Sequence, residues 1–304
     1  MAEIAVNVTL FTLVEEEQIS SLRGSGLLHS DSPKNADASG MSLWVVTTAS
    51  KAGGSDILTS TSADTGKSRQ LPETNVLVGE RLKDAAYRLL TTELGLQTKT
   101  PLREIKFFDD PTRDPLGNTI AVAFWGMVPF DDLLRYLGGK DQVGLELVNS
   151  LDFLQSFVGS TGDTLATTDG VSRFGFRVQP DQKRGNWRYG SMDATGKKHL
   201  VKDHDEIVFY GWRRLRAAFT GRLDPFRYLG LNPLGSRFTF GQLQEFADLA
   251  RGVVSDKNDV DTYRRKFMQT NAVTELNMTA PSRGRGKPSR YLELNDWISD
   301  SLSG

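Results

Sequence analysis

Residues Leu71–Leu96 read LPETNVLVGERLKDAAYRLLTTELGL, and the fold turns on this stretch. Leu82, Ala85, Ala86, Leu89, Leu90 and Glu93 recur at helical spacing. That predicts an amphipathic helix from about Gly79 to Leu94. Gly95 follows the last periodic residue and is the expected stop.

The same stretch resembles a Nudix box, whose pattern is Gly-x5-Glu-x7-Arg-Glu-apolar-x-Glu-Glu-x-Gly-apolar. Laid over the chain without a gap, the pattern keeps Glu80, Arg88, Leu90, Glu93, Gly95 and Leu96. It loses its first Gly to Thr74 and its other helix carboxylates to Leu89 and Thr92. In the pattern the resemblance supplies, acids at 89, 92 and 93 would share one helix face and hold Mg²⁺; with Glu93 alone a hard cation gains little. The resemblance thus implies a nucleotide-diphosphate pocket without its Mg²⁺ ligands. Arg88 and Glu93 remain as candidate effector contacts, and Leu89 is free to pack.

A chain of 304 residues fits two domains better than one. With 38% hydrophobic and 25% charged residues the composition is that of a globular protein. A net charge of −1 does not decide on nucleic acid, since binding depends on local patches. There are no cysteines, which excludes disulfides and thiolate metal sites. The opening MAEIAVNVTLFTLVEEE lacks a basic start and reads as a strand, not a leader. No stretch approaches the roughly 18 apolar residues of a membrane span. A cytoplasmic protein with no membrane partner is expected.

Strand-like runs rich in β-branched and aromatic residues lie at Ile4–Val14, Ser42–Thr48, Ile105–Asp109 and Thr119–Val128. Ser30–Gly40 and Lys51–Gln70 read as polar loops. Helical patterns follow at Phe130–Leu137 and Asp205–Phe219. The region 138–200 reads as an insertion, with GFRV and NWRYG as short strands of a hairpin. Thr220–Gly235, with two prolines and three glycines, reads as a linker.

Between the middle strands lies Phe107–Gly117, FFDDPTRDPLG. Arg113 suits a phosphate, because a guanidinium fork matches that geometry; its alternative role is an Arg–Asp pair fixing a tight turn. An Arg-Asp-Pro-x-Gly loop at this distance after the box is similar to that of the Nudix-related transcriptional regulators. The resemblance implies sensing of ADP-ribose or a related product, with Arg113, Asp114 and Gly117 at the effector. The run Asp203-His204-Asp205-Glu206-Ile207 matches the entry to the exit helix of such domains. By its residues alone, His204 reads as part of a helix N-terminus rather than a ligand.

In the C-terminal region, FTFGQLQEF starts an amphipathic helix with Thr239 as N-cap. A second helix, Asp259–Met268, turns Val260, Tyr263 and Phe267 inward and Thr262, Arg265 and Lys266 outward. AVTELNMT and SRYLEL then alternate like paired strands around PSRGRGKP, a basic Gly-rich tip. Such an order reads as a winged helix-turn-helix, with cations for phosphates. The resemblance extends here through Tyr263-Arg264-Arg265-Lys266 and Lys287-Pro288-Ser289-Arg290-Tyr291. It departs at Val260, Asp261 and Thr262, where basic residues or Asn are usual. The expected DNA contacts are Thr262, Arg264, Arg265, Lys266, Arg283, Arg285, Lys287 and Arg290.

The expectation is thus an α+β protein: a Nudix-type sandwich domain at 1–219, a linker at 220–235 and a winged helix-turn-helix at 236–304. Its expected function is that of a homodimeric repressor, binding a double-stranded DNA operator and sensing an ADP-ribose-like NAD metabolite without catalysis, cofactor or metal. Three alternatives stay open. The sensor can be for a sugar or sugar phosphate; the chain can be a nucleoside-diphosphate hydrolase with relocated ligands drawn from Glu80, Asp84, Glu93, Asp109 and Asp110; or it can be an interaction protein with neither ligand nor DNA.

Overall fold

The computed structural model describes residues 3–15, 17–19, 40–49, 69–96, 100–110, 113, 119–137, 145–149, 155–159, 162–166, 178–180, 187–189, 200, 202–220, 225–229, 233–251, 264–265, 267–269, 271–281 and 288–295. Strand β1 spans Glu3–Glu15, β2 Met41–Ala49, β3 Arg69–Gln70 and β4 Glu73–Asn75. Helix α1 covers Leu82–Arg88 and runs into a π-helical turn, Leu89–Glu93. Then come β5 (Arg103–Phe108), β6 (Thr119–Met127), α2 (Phe130–Leu137) and β7 (Leu145–Asn149).

These strands form one seven-stranded sheet with the path β3-β2-β1-β6-β5, to which β4 adds on β1 and β7 on β2. The β1–β6 pair is parallel, from Glu3↔Thr119 to Phe11↔Met127. β2 and β4 run antiparallel to β1, and β5 antiparallel to β6. Because side chains alternate along a strand, both faces of these central strands can be apolar. Val8 and Leu10 of β1, Trp44 of β2 and Phe124 of β6 pack with Ala85, Ala86, Leu89 and Leu90 under the box helix. Phe11, Leu43, Val45, Ala123 and Trp125 face the other way. They pack against Ile207, Trp212 and Leu215 of α3 (His204–Thr220). A sheet covered by helices on both faces is a sandwich.

The region 138–200 holds β7 and two hairpins: β8 (Gln155–Gly159) with β9 (Gly162–Ala166), and β10 (Val178–Pro180) with β11 (Trp187–Tyr189). The second contains the expected WRY strand. β7 departs from the insertion reading, since it pairs with β2 from Trp44↔Asn149 to Thr48↔Leu145 and belongs to the main sheet.

The C-terminal unit has α5 (Phe240–Arg251) between β12 (Phe238–Thr239) and a hairpin of β13 (Val273–Thr279) and β14 (Arg290–Leu294). Its three-stranded sheet has the order β12-β14-β13. Residues 264–265 and 267–268 are helical. The N-cap reading of Thr239 fits a reciprocal capping box: Gln242 N–H donates to Thr239 Oγ1 at 3.2 Å, and Thr239 N–H to Gln242 Oε1 at 2.8 Å. The segment read as a linker contains α4 (Pro225–Leu229), with Phe226 wholly buried. Phe226 packs with Phe238, Leu243, Phe267, Val273 and Leu292 in a core of the C-terminal unit.

That unit is also docked on the sandwich. Phe219 of α3 meets Phe246 of α5 edge to face, ring centres 4.6 Å apart. Glu245 accepts from Met41 N–H at 2.8 Å, and Gln242 donates to Glu15 at 2.9 Å.

Candidate functional site

The box helix begins later than periodicity suggests. Gly79 sits at φ +80°, and Arg81, at the N-cap, is extended with ψ 146°. Helical dihedrals therefore start only at Leu82. At the other end Leu94 N–H reaches back to Leu89 C=O at 2.9 Å, and Gly95, at φ +67°, ends the element as expected. The extra residue per turn marks a π-bulge, a rare form that tends to occur at functional positions.

Around this helix Arg88 places all five of its donors. Nε and Nη2 hold the two oxygens of Glu80 at 2.7 and 2.9 Å. Nη1 reaches Glu93 at 2.7 Å and Thr74 at 3.2 Å, while Nη2 also donates to Asn75 C=O at 2.8 Å. Thr74, in place of the pattern's first Gly, donates to Glu93 at 2.6 Å. The Arg88 fork, helped by Leu77 N–H, holds the Glu80 carboxyl down to about 2. Leu89 is 2% exposed in the core, whereas Thr92 lies on the surface. Among the described residues no three His, Asp or Glu side chains are grouped to hold a metal ion.

Arg113 is buried, its side chain 1% exposed. Its Nε and Nη2 each donate to Asp203 at 2.8 Å, a bidentate pair that reaches the start of α3 and not an aspartate of its own loop. Nη1 is buried without a partner among the described residues. The other two loop residues offered to an effector, Asp114 and Gly117, lie outside the described residues.

A polar cluster that sequence reasoning missed lies beside this pair. His204, the first residue of α3, is fully buried against Asn7 of β1 and Glu73 of β4, where sequence reasoning reads only a helix N-terminus. Leu71 N–H donates to its Nδ1 at 3.0 Å, so the ring proton sits on Nε2 and is donated to Glu73 at 3.1 Å. Asn7, wholly buried on β1, donates to the same carboxylate at 2.9 Å, and Lys202 does so at 2.8 Å. Burial pushes the Glu73 carboxyl up, but His204 and Lys202 outweigh it and hold the group well below the usual carboxylate range. Lys202 adopts φ +55°, left-handed for a residue with a Cβ. The one available signal was Asn7, a polar residue at a buried position inside the apolar run AVNVTL.

Lys202, Asp203 and His204 thus tie the start of α3 to Glu73, to Arg113 and to the backbone at Leu71. The other end of the helix carries Phe219 to the C-terminal unit.

In that unit Arg265 is exposed and Phe267 is buried, as the second helix pattern required, and Arg264 is exposed as well. Arg264 Nη2 lies 3.3 Å from one oxygen of Glu275 on β13, and Arg290 Nη1 of β14 lies 2.9 Å from the other. The expected DNA contacts Thr262, Lys266, Arg283, Arg285 and Lys287 lie outside the described residues.

No family model and no curated protein matches the chain. Solved structures do. NrtR of Shewanella oneidensis superposes at a TM-score of 0.55 and 14% identity over 99% of this chain and 96% of its own. NrtR in complex with a 27-mer DNA gives 0.55 at 15% identity, over 99% and 95%. A MutT/nudix family protein from Enterococcus faecalis gives 0.53 at 17%, over 97% and 87%. At these identities the likeness establishes fold, and it spans both units in one superposition. The chain therefore has the α+β fold of these structures, a Nudix-type sandwich followed by a winged helix-turn-helix unit.

Proposed function

We propose that this chain is a DNA-binding transcriptional repressor that acts as a homodimer. Residues 236–304 would bind a double-stranded operator, and the sandwich within 1–219 would sense ADP-ribose or a related NAD metabolite without hydrolysing it. One observation carries the reading: the sandwich and the winged unit lie together over nearly the whole length of a regulator crystallised on DNA. Operators with two-fold symmetry call for dimeric readers, which motivates the homodimer.

Non-catalytic sensing is supported by Leu89 in the core and Thr92 on the surface at the positions where the box pattern has acids. Arg88 and Glu93 are satisfied by each other and by Glu80 and Thr74, so an effector at this face would have to exchange one of those bonds. Arg113 would serve by holding the loop that carries Asp114 and Gly117, through its pair with Asp203.

The same pair gives the site a lever. α3 has 17 residues, so at about 1.5 Å per residue it spans roughly 25 Å from Asp203 to the Phe219–Phe246 contact. An effector that moves the loop or β4 biases the start of this rod, and α5 lies at its other end. Couplings of this kind are typically about 1–3 kcal/mol.

A mobility-shift assay with fragments of total genomic DNA, with and without ADP-ribose, tests the proposal. Retention of a subset of fragments, altered by ADP-ribose, is the expected result. Failure to retain any fragment removes the regulator reading. Retention altered by a sugar phosphate but not by ADP-ribose reassigns the effector.

A further inference from the structure

Two of the cations offered to DNA are already engaged, and by the same carboxylate. Glu275 projects from β13, with Arg264 on one oxygen and Arg290 on the other. Arg264 comes from the second helix of the winged unit and Arg290 from the base of the wing. Glu275 thus links the two elements that a winged helix uses on a duplex. Arg264 is held from behind as well, its guanidinium carbon 5.7 Å from the centre of the Phe240 ring at the start of α5. Both arginines are about half exposed and Glu275 is partly covered, so the pair of bridges lies at the surface.

We infer that Glu275 is an internal competitor for DNA, a stand-in for a phosphate that Arg264 and Arg290 must release before they contact a duplex. The inference rests on the DNA-binding reading above. A carboxylate between two guanidinium groups presents the charge and paired acceptor oxygens that a phosphate would bring. Any phosphate recruited by either arginine has to displace it and then sits beside a like charge. Non-specific binding consists almost wholly of such phosphate contacts, so a duplex of random sequence reads the competition directly. Glu275 therefore lowers affinity for any duplex whose phosphates these two arginines would contact.

The test uses the full chain and a short duplex of random sequence, with binding followed by fluorescence anisotropy across a salt titration. Glu275→Gln keeps the shape and removes the charge. It should steepen the salt dependence by nearly one unit of slope and tighten random-duplex binding about five-fold at ~0.15 M salt, the worth of one released phosphate contact. Glu293→Gln removes an equal charge from β14, at a residue with no ion pair among the described residues, and should leave the slope unchanged. On an Arg264→Ala/Arg290→Ala background, Glu275→Gln should also leave it unchanged. If Glu275→Gln binds with the wild-type slope, or if Glu293→Gln does the same as Glu275→Gln, Glu275 is not the competitor and the DNA-binding reading is untouched. If neither wild type nor Glu275→Gln binds a duplex at low salt, both fall together. Circular dichroism of each variant separates loss of binding from loss of fold.

Discussion

Arg113 and Asp203, 90 residues apart in the chain, face each other through two parallel 2.8 Å hydrogen bonds, with the arginine side chain 1% exposed and the aspartate 16%. The pair fastens the loop after β5 to the first turn of α3. Its two halves are unequal in burial, and that makes their removal unequal. Asp203→Ala leaves a buried guanidinium without its counterion and is expected to cost about 3–5 kcal/mol of folding stability. Arg113→Ala leaves a carboxylate that water can reach and is expected to cost less. Urea unfolding midpoints of the two variants check this, and the reverse order would contradict it.

The box helix separates two of the lost acids by burial. Thr92→Glu is on the surface and should change stability by no more than about 0.5 kcal/mol. Leu89→Glu exchanges a packed core residue for a buried carboxylate and should cost about 3–5 kcal/mol. The wild-type chain should show no Mg²⁺-dependent hydrolysis of ADP-ribose at an ordinary enzymatic rate of about 1 s⁻¹ or faster. Turnover at such a rate in a phosphate-release assay would mean a hydrolase with relocated ligands.

The Glu80–Arg88 pair gives a pH signature. The carboxyl titrates at about 2 in the folded protein against an ordinary 4.5, because Arg88 hydrogen-bonds its charged form. A depressed carboxylate contributes stability that is fully present above about 4.5 and is lost as pH falls toward about 2. Arg88→Met should flatten this part of the curve of melting temperature against pH. An unchanged acid limb in that variant would assign the loss to other carboxylates, of which Glu73 is the first candidate.

Close packing at β6 can be probed at Gly126. A Cβ there would lie 2.8 Å from Thr100 Cγ2, 3.1 Å from Leu102 Cδ2 and 3.2 Å from Pro101 C=O. Gly126→Ala should therefore cost about 1–3 kcal/mol through overpacking. Adding Thr100→Ser removes the nearest methyl while keeping the hydroxyl, and should recover part of the loss. Additive effects of the two substitutions in thermal unfolding would refute the contact.

The DNA-binding proposal separates helix from wing by the kind of contact. Replacing Thr262 or Arg265 should cost about 1–3 kcal/mol at the cognate site and blur sequence preference. Replacing Arg283, Arg285 and Lys287 together should weaken all duplexes about equally and lower the salt slope by nearly one per lost contact. A triple variant that binds as well as wild type at every salt concentration removes the wing from the interface.

The sequence by itself determined what is local. The alternation in VNVTLFTLV and TIAVAFWGM, the 3.6-residue stripe of α3 and Gly95 as a stop each depend on neighbours in the chain, and so does the Thr239–Gln242 box. Each could be read before any folding was known, and with them the α+β class and the winged order of elements. What the tertiary structure alone decided involves partners far apart in sequence. Short β3, β4 and β7 carry too few residues to show a period, and pairing across the sheet is what makes them strands. Asn7 and His204 lie 197 residues apart, and a histidine beside acids reads as a helix end until the sheet beneath it is in place. The roles of Arg113 and of Glu275 follow the same logic, because a charged side chain has several possible partners and only the folded chain selects one.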